Sequence, residues 1–241
     1  MNLEDSVATP RVRFEDWGLI RFAEAWQRQR GYVERHTAPK LAHRLPGVPY
    51  TPGRTPLIFC QHPHVYTLGK SGHEDHLLID EQGRQELEID FFHIERGGDI
   101  TYHGPGQLVG YPIFDLEQFK PDLHVYLRNL EGAIIDLLAR FGLQADVLPG
   151  LTGVWIEPNT PRARKIAAIG IKCSRWVTMH GFALNVTTDL GYFDYIVPCG
   201  IRDKGVTSIA QELGLSCPSW DSVSRVLCDC LKNRFGFDWA D

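Results

Sequence analysis

From about residue 145 to residue 186 the chain sets down one apolar run after another, with no helical stretch between them. The runs at 154–156, 166–171, 176–179 and 182–186 are broken only by turn signals such as the cluster Pro158, Asn159, Thr160, Pro161. Parallel strands need a crossover of a dozen or more residues, usually a helix. A chain without that alternation reads as α+β, with a mixed or antiparallel sheet and helices packed against it. Further strand-like runs lie at 57–60, 91–94 and 108–114.

Three stripes at helical spacing supply the flanking layers. Leu19, Phe22, Trp26 and Val33 share one face, and Trp220, Val223, Leu227 and Leu231 share another, stopped by Gly236. The longest stripe runs from Leu123 through Leu130, Ile134 and Leu138 to Phe141, with Asp122 as N-cap and Gly142 just past its end. Residues 37–56 hold five prolines and two glycines, which predicts an extended surface excursion. No linker divides the 241 residues, so a single domain over 1–241 is expected.

Thirty acidic against 25 basic side chains leave a net charge of −5, which argues against a nucleic-acid binder. No apolar run approaches the ~20 residues of a membrane span. The acidic, polar start resembles neither a secretory signal nor a transit peptide, so a cytoplasmic protein is expected. Six scattered cysteines without a CxxC pair read as reduced thiols, and no cysteine-built metal site is expected.

The densest unusual segment is Arg96, Gly97, Gly98, Asp99, Ile100, Thr101, Tyr102, His103, Gly104, Pro105, Gly106, Gln107. Its glycines let backbone approach a ligand, and its polar groups can be aimed inward. It matches neither phosphate-binding glycine motif. Cys199 sits between Pro198 and Gly200, where a thiol is more exposed than in an apolar run. It becomes a nucleophile only beside an activating group, for which Lys165, Lys172 and His180 are the candidates. His62, His64, His73 and His76 fall within fifteen positions, too loose a pattern for a metal site.

Taken together, these segments resemble the lipoyl(octanoyl) transferase family. The matching residues are His62-Pro63 with Thr67-Leu68-Gly69, Arg96-Gly97-Gly98 with Thr101 and His103 to Gln107, Tyr111-Pro112, and Gly153-Val154-Trp155. They continue with Lys165-Ile166-Ala167, Ile169-Gly170, His180-Gly181, Ala183-Leu184-Asn185 and Pro198-Cys199-Gly200. The resemblance implies a fold similar to lipoate and biotin protein ligases, a single α+β domain with a central mixed β-sheet flanked by helices, with Cys199 as nucleophile and Lys165, not Lys172, as its activator. It implies substrate lining by Arg96 to His103, by Ala168, Ile169 and Gly170, and by Gly181, Phe182 and Ala183, with His180 shaping the site. The implied reaction moves octanoyl from acyl carrier protein to a lysine of a lipoyl domain, through a cysteine thioester and without cofactor or metal. The implied acceptors are the lipoyl domains of 2-oxoacid dehydrogenase E2 subunits and the glycine cleavage H protein. Thioester exchange is nearly isoenergetic and amide formation runs downhill, so the chemistry needs no ATP. The alternatives are an ATP-using ligase of the same fold, a thiol hydrolase, and a non-catalytic carrier-binding module.

Both expected partners are acidic, so attraction must come from a local patch. Residues 158–188 hold no acid but five cations, Arg162, Arg164, Lys165, Lys172 and Arg175. The expectation is that Arg162, Arg164 and Arg175 rim the site. Backbone N–H groups near Gly97-Gly98 or Ala168 to Gly170 are the expected oxyanion donors.

Overall fold

A computed structural model describes residues 9–43, 55–200 and 204–240, with Cys199 described by its backbone alone. The chain opens with β1 (Arg11–Leu19), α1 (Phe22–His43), β2 (Thr55–Gln61), β3 (Val65–Leu68) and α2 (Glu81–Glu86). β4 (Asp90–His93), β5 (Ile100–His103), β6 (Gln107–Pro112), α3 (Leu123–Arg140), β7 (Ala145–Leu148) and β8 (Leu151–Ile156) follow. It ends with β9 (Arg164–Ser174), β10 (Val177–Asn185), β11 (Gly205–Val206), α4 (Ile209–Leu213), α5 (Trp220–Phe235) and β12 (Asp238–Trp239).

Among the described residues the larger sheet runs β12-β1-β2-β6-β10-β9-β8-β7, with β11 beside β9. β1 is parallel to both neighbours, and the ladder from β2 to β7 is antiparallel. The runs at 145–186 left a mixed or an antiparallel sheet open, and the parallel pairing of β1 makes it the mixed sheet that the family resemblance implies. A second sheet, β4-β3-β5, lies beside it.

The period-two alternation of the strands sorts their side chains to two faces. Leu57, Phe59, Leu108, Phe182 and Leu184 join α3 and α5 in the main core. Ile58, Cys60, Val109, Tyr111 and Ala183 face the other way, with Ala25 of α1. α3 starts where Asp122 accepts hydrogen bonds from the N–H groups of His124 (2.9 Å) and Val125 (3.1 Å). Its Leu130, Ile134, Leu137 and Leu138 are fully buried, each worth about 1.5–3 kcal/mol.

Three expectations are corrected. Leu19 belongs to β1, not to the first helix, and is exposed. The excursion at 37–56 gives way to α1 up to His43 and to β2 from Thr55, while 44–54 lie outside the described residues. Pro39 stays inside α1 because the next residue is anchored. The Lys40 ammonium pairs with buried Asp115 and with Glu117, and donates to the Arg175 carbonyl at 3.0 Å. Finally, the runs at 176–179 and 182–186 are one strand, β10.

Candidate active site

One cleft opens between the two sheets and α1. β5 presents Thr101 and His103 to it, and the preceding loop adds Arg96, Gly98 and Asp99. Ala168, Ile169 and Gly170 of β9, with His180, Gly181, Phe182 and Ala183 of β10, form another wall. Twelve of the fifteen expected lining and shaping residues therefore meet in one place. The other three follow from local geometry. Ile100 and Tyr102 alternate to the opposite face of β5 and pack in the core of the small sheet. The Gly97 N–H is committed to the Ile171 carbonyl at 2.9 Å, which removes it as an oxyanion donor. Gly181 is required by close approach, since a Cβ there would run into the Gly110 carbonyl on β6.

A narrower cavity shares Thr101, Ala168 and Ala183 with the cleft. Lys165 and Pro198 line it together, which puts the ammonium and the cysteine-bearing turn at the same end. Lys165 is 8% exposed, and its Nζ lies 4.8 Å from the centroid of the Trp155 ring, its cross-strand neighbour. Lys172 sits seven residues further along β9, roughly 23 Å away in extended chain. It pairs with Glu95 at the surface.

Three buried histidines surround the cleft. Burial is the main reason that His62 falls to about 4, and His103 and His180 to about 3. Near neutral pH all three are therefore uncharged. The His62 Nδ1–H donates to the Ile20 carbonyl at 2.7 Å, which leaves Nε2 to accept from the Tyr111 hydroxyl at 2.6 Å. Burial also holds the Tyr111 phenol well above its ordinary range.

A chain of hydrogen bonds fixes His103. The Thr207 carbonyl can only accept, so the Asn185 amide nitrogen donates to it at 2.9 Å. Asn185 Oδ1 then accepts from Gln107 Nε2 at 2.9 Å, and that nitrogen also donates to the Tyr102 carbonyl at 3.1 Å. Gln107 Oε1 is left to accept from the His103 Nδ1–H at 2.7 Å. His103 Nε2 consequently carries the lone pair. The Thr207 N–H closes the chain on the Lys165 carbonyl at 2.9 Å.

His64 stacks on Tyr192 with ring centroids 4.1 Å apart, away from His62. Among the described residues no group of three His, Cys, Asp or Glu converges to hold a metal ion. Phe22, Ile94, Val109 and Tyr111 also line the cleft, although only Tyr111 lay in a motif singled out from sequence. Two of the three arginines expected at the rim are ion-paired, and the third lies far along the strand. Arg164 is clamped by Glu212 (2.6 Å) and Glu157 (3.1 Å), and Arg162 by Glu157 (2.8 Å). Arg175 lies past the far end of β9, roughly 35 Å from Arg164 in extended chain.

Residues 24–232 match the model of the lipoyl protein ligase A/B catalytic domain. The octanoyltransferase of Cytophaga hutchinsonii is 59% identical over 84% of this chain and 84% of its own. That of Christiangramia forsetii is 52% identical over 93% and 95%. Among solved structures, the bipartite lipoate protein ligase of Thermoplasma acidophilum superposes with a TM-score of 0.66 at 16% identity, covering 97% of this chain and 86% of that one. A lipoate-protein ligase A bound with ATP gives 0.63 at 17%, covering 97% and 88%, and both likenesses show the fold alone. The chain belongs to the lipoyl protein ligase A/B catalytic domain family and, within it, to the octanoyltransferases.

Proposed function

We propose that the chain moves octanoyl from the thioester of acyl carrier protein to a lysine amine of a lipoyl domain, through a thioester on Cys199. The lipoyl domains of 2-oxoacid dehydrogenase E2 subunits and the glycine cleavage H protein are the acceptors, and the cytoplasm is the compartment. The whole chain acts as one catalytic domain. What supports this reading is the cavity that Lys165 and Pro198 line together, which shares Thr101, Ala168 and Ala183 with a cleft walled by neutral His103 and His180, apolar side chains, Arg96 and Asp99.

The Cys199 thiolate, stabilised by the Lys165 ammonium, attacks the carbonyl carbon of the donor. A new C–S bond forms, the carrier thiolate leaves, and it takes a proton from Lys165. The acceptor lysine then enters as the neutral amine and attacks the acyl carbon. As the C–N bond forms its nitrogen gives one proton to the neutral Lys165 amine, and the C–S bond to Cys199 breaks, which restores the thiolate beside the Lys165 ammonium. Neutral His103 and His180, with Phe22, Ile94 and Val109, give the acyl chain an uncharged stretch of the cleft wall. Intact-mass spectrometry after mixing with octanoyl carrier protein, without ATP, tests the scheme. One octanoyl mass is expected on the wild-type chain and none on Cys199→Ala. Labelling of the variant, or a need for ATP, overturns it.

A further inference from the structure

His76, in the loop that follows β3, pairs with Asp99, in the loop that precedes β5, and no family motif singled out from the sequence includes His76. His76 Nδ1 lies 2.5 Å from Asp99 Oδ2. The other oxygen, Oδ1, accepts from the N–H groups of Ile100 (2.7 Å) and His73 (3.2 Å). Asp99 is 9% exposed, so both carboxylate oxygens are satisfied within the fold.

This pair touches the cysteine-bearing turn twice. The His76 carbonyl accepts from the Val197 N–H at 2.8 Å, and Leu78 N–H donates to the Tyr195 carbonyl at 2.8 Å. Leu77 bridges Ile196 between them, so residues 76–78 form a short antiparallel clamp on the segment entering the turn. On the exit side stands Gly200, with φ +69°. A Cβ at that position would lie 3.1 Å from Asp99 Oδ2 and 3.2 Å from His76 Cε1. The backbone after Cys199 thus rests on the ring and the carboxylate, while Pro198, just before it, shares a cavity with Lys165.

We propose that His76 and Asp99 act as a positioning pair, holding the Pro198–Gly200 turn so that its cysteine meets Lys165. The inference rests on the thioester reading above and adds two residues to it. Asp99 acts through the turn, not on the acyl chain. The pair does not exchange protons with substrate. Its work depends on one N–H from position 76 to Oδ2 and on the backbone clamp. An asparagine at 76 carries an amide N–H near the place of Nδ1, whereas alanine carries none.

The rate at which octanoyl carrier protein labels Cys199 is therefore read by intact mass for His76→Ala, His76→Asn, Asp99→Ala and the double alanine variant. His76→Ala should label about 10- to 100-fold more slowly, the size of one charge-assisted hydrogen bond. His76→Asn should recover most of that loss. The double variant should be no slower than the slower single one, because both substitutions break the same contact. Rates are normalised to the folded fraction from circular dichroism. Wild-type labelling by His76→Ala, an asparagine variant no better than alanine, or additive losses each overturn the proposal. If the wild-type chain takes no label at Cys199, the thioester reading has failed instead.

Discussion

His180 adopts φ +63° in the middle of β10, a left-handed conformation uncommon for any residue but glycine. Its N–H donates to Gln29 Oε1 at 3.0 Å, tying the strand to α1. The fold holds His180 against both its conformational preference and its charge. Arg96, Lys172 and Arg30 face it, as His62, Arg96 and His180 face His103, and all oppose protonation. A histidine whose folded value lies below its unfolded ~6.5 contributes full stability above that pH. The contribution is lost as pH falls from ~6.5 toward the folded values of about 3 to about 4. At pH 5 the loss is on the order of 2 kcal/mol per histidine. Urea titrations at pH 7, 6 and 5 should show stability falling steeply, and His180→Asn should remove about a third of that slope. An unchanged slope would mean that His180 takes up its proton without unfolding. These residues were legible in sequence as polar groups in glycine-rich segments. The chain from His103 to Thr207 was not, because its partners lie up to about a hundred positions apart and no local spacing marks them.

Among the elements, α1 departs most from its sequence. Proline density marked 37–56 as loop, yet the helix passes Pro39. Local propensity disfavours this by removing a donor and crowding the preceding turn. The tertiary anchor at Lys40 reverses the balance, since its pair with Asp115 is nearly sealed, with side-chain exposures of 9% and 0%. Removing Lys40 takes from buried Asp115 the ammonium it pairs with. Lys40→Met should therefore cost about 3 kcal/mol in chemical denaturation. Adding Asp115→Asn should return part of that loss, and a purely additive double variant would show that the pair is not what fixes the helix end. The strands were more legible than α1, because β2, β6 and β10 are buried on both faces and read as short, mostly apolar runs. β10 still read as two runs, since His180 and Gly181 interrupt its apolar pattern.

At the scale of the molecule, the long β9 separates what the sequence clusters. Five cations within 158–188 suggested one basic rim, but an eleven-residue strand carries Arg164 and Lys172 to opposite ends of the site. Arg164 grips Glu212 through Nε and Nη2, both at 2.6 Å, while Glu212 accepts from the Thr207 hydroxyl at 2.5 Å. That clamp fastens α4 to the strand end where Val206 pairs with Lys165. Arg164 thus holds the lysine end of the cleft together, and its charge is already answered. A half-buried bidentate pair of this kind is worth roughly 2–3 kcal/mol. Arg164→Glu should lower the melting temperature and slow transfer from a small octanoyl thioester as much as from octanoyl carrier protein. Arg175→Glu should leave the small thioester untouched, because its position is remote from Lys165. Steady-state kinetics with both donors for both variants decide the matter. A selective loss with the protein donor in Arg164→Glu would restore the docking role that its ion pairs argue against.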